Sequence, residues 1–103
     1  MIKVSVLYPN GPGSRFDIDY YLRSHMPMVR ERLGPVLQRM AVEHGLGGGG
    51  PGAPPPFLAM GHLYFDSVEA FQSAFGPHAE AIMADVANYT NSKPVIQISD
   101  VKL

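Results

Sequence analysis

The sequence predicts an α+β fold in which strands and helices follow as β-α-β-β-α-β around a four-stranded antiparallel sheet. Three observations carry that expectation. Alternating, β-branched segments stand near both ends of the chain, at residues 2–8 and 94–103. A nearly continuous apolar run, residues 57–65, sits between them like a strand covered on both faces. Two stretches with apolar residues at helical spacing, each bounded by cap and stop residues, separate the strands.

The first strand sets Ile2, Val4, Val6 and Tyr8 against Lys3, Ser5 and Leu7, and the Pro9 to Gly13 turn cluster ends it. A helix is predicted over 17–33. Asp17 is placed to cap its first free amides, and Phe16 and Tyr21 stand at the two positions of a hydrophobic staple. Wound at about 100° per residue, Ile18, Tyr21, Leu22, His25, Val29 and Leu33 share one arc, with His25 near its centre. Pro27 has no N–H for the Arg23 carbonyl, so the helix is expected to kink or loosen beside His25. Gly34 and Pro35 form the stop.

Residues 36–46 read as the second strand, and the Gly47 to Pro56 tract as a long hairpin loop with almost no side chains for chemistry. Residues 57–65 form the third strand, in which Gly61 marks a bulge or a close backbone approach. Asp66 with Glu69 three residues on suggests the cap of a second helix carrying Val68, Phe71, Ala74 and Phe75. Gly76 and Pro77 end it, and a further helical segment follows to about Asn88. The last strand covers 94–103. This order is the ferredoxin-like one, with both helices packed on one face of the sheet. The opposite face is left bare, and because the third strand is apolar on both sides a homodimer through that face is expected.

At 103 residues the chain fits one domain, 1–103. A net charge of -1 and the absence of clustered lysine or arginine give no footprint for nucleic acid and no basic face for a membrane surface. Zero cysteines remove thiolate catalysis and cysteine-ligated metal, and fit a reducing compartment. No run is long enough to span a bilayer, and the first residues alternate too strongly for a signal peptide. The expectation is a soluble cytoplasmic protein.

Four histidines are present, at 25, 44, 62 and 78, without helical ligand spacing or a carboxylate cluster, so no metal site is expected. The four-glycine run precedes a strand, not a helix, and cannot serve as a phosphate loop, so no bound nucleotide or flavin cofactor is expected either. What survives is acid–base chemistry. His25 in an apolar pocket would stay neutral and able to accept a proton near pH 7, making it the candidate catalytic residue. Tyr21, one turn earlier, is placed to line the same pocket, and Arg32 lies at the edge of the helical face. Met60, His62 and Tyr64 share one face of the third strand and would form an aromatic and thioether wall; strand parity does not fix which face that is. Packing explains each of these residues as well: a snorkelling arginine, a hydrogen-bonded sheet histidine, a core stripe. Asn91 reads as a turn residue, and His44 and His78 receive no role.

The stretch Phe16-Asp17-x-Asp19-Tyr20-Tyr21 followed by His25-x-Pro27, together with Thr90-Asn91-x-x-Pro94-Val95-x-Gln97-x-Ser99-Asp100-Val101, resembles the EthD family. That resemblance implies a dimeric α+β barrel, in which two ferredoxin-like sheets face one another. The family takes its name from ethyl tert-butyl ether degradation, where its members accompany a cytochrome P450 system, and the wider superfamily includes cofactor-independent monooxygenases and muconolactone-type isomerases. Two functional readings follow. One is a small oxidoreductase or isomerase working on an apolar carbonyl, phenol or lactone through His25. The other is a noncatalytic accessory protein that presents a hydrophobic small molecule to an oxygenase system.

Overall fold

Strand β1 (Ile2–Pro9) runs through the middle of the sheet of this computed structural model, which describes residues 1–103. It pairs antiparallel with β3 (Phe57–Phe65) on one side and with β4 (Val95–Asp100) on the other. β2 (Arg39–His44) adds to the far side of β3, giving the order β2-β3-β1-β4, which is the ferredoxin-like arrangement. Register sorts the side chains by face. Val4 stands opposite Leu63 and Ile98, Val6 opposite Gly61 and Ile96, and Tyr8 opposite Ala59; this set turns toward the helices. Alternation sends Lys3, Ser5 and Leu7, with Met60, His62 and Tyr64, to the other face.

The first helical stretch has three consecutive pieces: α1 (Ile18–Tyr20), a π-helical turn (Tyr21–His25) and α2 (Met26–Leu33). Asp17 caps it, its carboxylate accepting from the Tyr20 N–H at 3.0 Å, and the Phe16 and Tyr21 rings meet at 5.0 Å in the expected staple. The expected loosening beside His25 takes the form of the π turn, in which the Met26 N–H reaches back to the Tyr21 carbonyl. Gly34 ends the helix at a φ of 68°. The second stretch comprises α3 (Val68–Phe75) and α4 (Ala79–Ala84), joined by a 3-10 turn at Gly76–His78 and followed by another at Val86–Asn88.

Four local expectations need correction. β2 is shorter than 36–46, because Gly34–Val36 coils into a 3-10 turn closed by the Leu37 N–H on the Gly34 carbonyl. β4 covers Val95–Asp100 and leaves the last three residues outside the ladder. The cap of α3 is Ser67, whose Oγ accepts from the Ala70 N–H at 3.0 Å, and not Asp66. Leu22 is 49% exposed, because its edge of the helix overhangs an open depression shared with Met26, Pro27, Met40 and Val42 beside the edge strand β2.

The core is one continuous cluster between sheet and helices, with Phe65, Ala59, Val4, Tyr8, Tyr21 and Val29 almost wholly buried. No helix is long and apolar enough to cross a membrane.

Candidate functional site

Between the helices and the helix-facing side of the sheet lies a cavity of about 50 Å³. β1 contributes Val4, Val6 and Tyr8; β3 contributes Gly61 and Leu63; the first helical stretch contributes Tyr21, His25, Met26 and Val29. Phe71, Phe75, Ile82, Met83 and Val86 form its outer wall, with Pro94 and Ile96 opposite. No charged side chain other than the titratable His25 lines it. The polar groups it offers are that imidazole and the hydroxyls of Tyr8, Tyr21 and Tyr89.

His25 is buried because the π turn aims it inward from the middle of the helix's apolar face, where Tyr21 stacks on it at 5.4 Å. Its Nδ1 donates to Asp85 Oδ2 at 2.9 Å. Asp85 also accepts from the Tyr20 hydroxyl at 2.7 Å and from the Asn88 side-chain amide at 2.9 Å, both on Oδ1. With Nδ1 protonated, Nε2 is the free acceptor, and it points to the Tyr89 hydroxyl at 3.4 Å. Desolvation lowers the His25 pKa below the ordinary imidazole value, and the bond to Asp85 and its charge oppose that only in part. For Asp85, burial alone would raise the pKa, but the hydrogen bonds from Asn88, His25 and Tyr20 outweigh it and hold the carboxylate ionised below the usual range.

Behind Tyr89 stands a second hydroxyl. Tyr8 and Tyr89 share a 2.6 Å hydrogen bond, and the Tyr21 ring packs edge to face against the Tyr8 ring at 5.7 Å. The Tyr21 hydroxyl lies against Gly61, where any Cβ would collide with it, so the close approach expected at this glycine is made by a tyrosine. Burial pushes all three phenols well above their usual pKa, so they remain hydrogen-bond donors. The rings of Tyr8, Phe16, Tyr21 and Tyr89 pack mainly edge to face, with centroids 4.9–5.8 Å apart.

The structure brings together only part of what the sequence suggested. Tyr21 lines the cavity with His25. Met60, His62 and Tyr64 do share a face, but it is the face away from the helices, so they form no wall of the His25 cavity. His62 is instead held between Ser5 Oγ at 2.8 Å and Glu43 Oε1 at 3.1 Å, and the Arg39 guanidinium lies 5.0 Å above the Tyr64 ring. Arg32 is exposed on the last turn of α2 and reaches neither group. Asn91 bridges segments, accepting from the Arg15 N–H and donating to the Gly13 carbonyl. No three His, Asp or Glu side chains converge as metal ligands. Asp85, Tyr89 and Tyr8 were not singled out in the sequence. Asp85 sits 60 residues from its histidine, and the two tyrosines read there as a strand residue and a helix end.

A family model described as the EthD domain matches residues 14–93. Among solved structures, an EthD-like protein from Ralstonia eutropha JMP134 is similar at 49% identity and a TM-score of 0.94, over 99% of this chain and 92% of that one. An EthD family protein from Bacillus halodurans C-125 is similar at 22% identity and a TM-score of 0.68, over 99% of each chain. HapK from Hahella chejuensis shares the fold at 11% identity and a TM-score of 0.50, over 96% of this chain and 92% of that one. A search of curated proteins finds no match.

Proposed function

The chain belongs to the EthD family, and on that footing we propose that it is a small enzyme of oxidoreductase or isomerase type. In this reading His25 moves a proton on an apolar carbonyl, phenol or lactone, without metal or tightly bound cofactor. The orientation of one imidazole carries it: Nδ1 is tied to Asp85, so Nε2 is the basic atom, on a ring that lines the cavity and beside the Tyr89 hydroxyl that lines it too. A neutral substrate enters an apolar space where His25 is itself neutral. Nε2 takes the proton, and the imidazolium formed faces an ionised carboxylate that needs no rearrangement to stabilise it. Returned to a different atom, the same proton makes the reaction an isomerisation. An oxidation requires an external electron acceptor.

The cavity widens on binding. An apolar cavity of about 150 Å³ holds a benzene ring, and this one measures about 50 Å³. The outer wall is the part able to move: no residue of α3 is fully buried, and Met83 and Ile96 at the rim are 40% and 48% exposed.

His25→Gln tests the reading. With an apolar cyclic ketone in heavy water, exchange of the α-proton followed by NMR falls by roughly 10²–10⁴-fold in the variant, while the ketone's Kd stays unchanged. Equal exchange rates with equal affinity would remove the acid–base role. The cavity would then belong to a noncatalytic accessory protein that presents a hydrophobic small molecule to an oxygenase system.

The same reading takes the chain as one domain over 1–103 and as a homodimer through the open sheet face. It is cytoplasmic, in keeping with the absence of cysteine.

A further inference from the structure

We propose that Tyr89, backed by Tyr8, is a second catalytic residue that holds the substrate oxygen on which negative charge develops. The site's substrates are therefore neutral, apolar oxygen acids: phenols, or ketones that enolise. This rests on His25 being the base, and it adds a group for the other half of the reaction.

The argument begins with what the cavity lacks. No lysine or arginine lines it, so a preformed carboxylate or phosphate would enter without a counter-charge and lose its hydration. A neutral molecule meets no such penalty. Once Nε2 has taken its proton, however, an electron pair remains on the substrate, and an apolar cavity stabilises it only through hydrogen-bond donors already in place. The tyrosines are those donors. Because the unprotonated Nε2 only accepts, the Tyr89 hydroxyl donates toward it, and Tyr8 is then the donor of the 2.6 Å bond into the Tyr89 oxygen, which leaves the Tyr89 proton free to be directed forward. At present it points at Nε2, and at 3.4 Å that bond is long. A substrate oxygen placed beside both groups meets an acceptor at Nε2 and a donor at Tyr89. The step balances: the substrate O–H or α-C–H bond breaks, an N–H bond forms at Nε2, and the electron pair rests on the substrate oxygen, hydrogen-bonded by Tyr89. Carbon acids whose carbanion is not conjugated to oxygen gain nothing from this arrangement and are not turned over.

The probe is 4-nitrophenol, whose phenolate has its own long-wavelength absorption band, with 4-nitroanisole as a control that cannot ionise. The wild type takes up neutral 4-nitrophenol, passes its proton to Nε2 and shows the phenolate band in the bound state. Tyr89→Phe, which keeps the ring, weakens phenolate binding by roughly tenfold to a hundredfold, the effect of losing one hydrogen bond to a charged acceptor, and leaves 4-nitroanisole affinity unchanged. Tyr8→Phe gives a smaller loss in the same direction. A wild type that binds phenolate no better than Tyr89→Phe, or does not bind it, overturns the assignment, as does an equal loss for phenolate and anisole. His25→Gln separates this inference from the one beneath it. If, at a pH where free 4-nitrophenol is the neutral phenol, that variant forms bound phenolate as the wild type does while Tyr89→Phe does not, His25 is not the base and the tyrosine assignment stands. If Tyr89→Phe keeps the band and His25→Gln loses it, the tyrosine assignment falls and His25 remains.

Discussion

At His25, opposing influences act on one ring. Burial favours the neutral imidazole, while the Asp85 carboxylate favours the cation, and burial is the larger. If His25 is the base, as proposed, the neutral ring is the active form, so turnover is full at neutral pH and declines only as pH falls through the lowered pKa, below the ordinary imidazole value of 6.5. Asp85→Asn removes the only influence that raises this pKa. The acid limb of the kcat/KM profile therefore shifts to lower pH even as the rate drops, by at least about tenfold, because the ring loses the partner that fixes its tautomer. A rate loss with an unmoved acid limb would mean that Asp85 only supports the fold. The sequence made His25 visible, since a polar ring on an oily helical face departs from the pattern around it. It did not make Asp85 visible, because a carboxylate near the end of a helical segment is unremarkable until the fold brings it within 2.9 Å.

At the scale of elements, the π turn and β3 depend on each other. Pro27 deprives the Arg23 carbonyl of its partner, and that much follows from the residue alone. That the helix responds with a π turn presenting both Tyr21 and His25 to the sheet is a matter of what they pack against. Gly61 is the matching feature on β3. In Gly61→Ala the new methyl meets the Tyr21 hydroxyl, and Tyr21 is wedged among Tyr8, Phe16, His25 and Tyr89 with little room to yield. Overpacking of this kind costs about 1–3 kcal/mol, and thermal unfolding should show a drop of roughly 4–8 °C for each kcal/mol. An unchanged Tm would mean that Tyr21 moves freely and that the tyrosine cluster is looser than its geometry indicates.

For the whole molecule, the two faces of the sheet have different work. The helix side carries the cavity. The other carries Ser5, His62 and Glu43 in a hydrogen-bonded row, with Leu7 and Met60 half-buried beside them. If a second copy packs on this face, as proposed, Met60→Glu places an unpaired charge in the interface. Sedimentation should then show a monomer where the wild type is a dimer, with the circular dichroism of the fold retained. A wild type that sediments as a monomer at all concentrations would rule the dimer out. His62 lies on this face and so takes no part in the His25 cavity; parity tied it to Met60 and Tyr64, and only the position of the helices decided which side that was.

The sequence by itself determined the element order, the capped helix with its loosened turn, the glycine that admits a close neighbour, and the histidine on the buried arc. Each depends on residues a few positions apart, where spacing and backbone chemistry suffice. The tertiary structure alone decided which face of β3 meets the helices, that Arg32 stays in solvent, and that Asp85, Tyr89 and Tyr8 gather around His25. Those contacts join segments 60 to 81 residues apart, and no local periodicity records them.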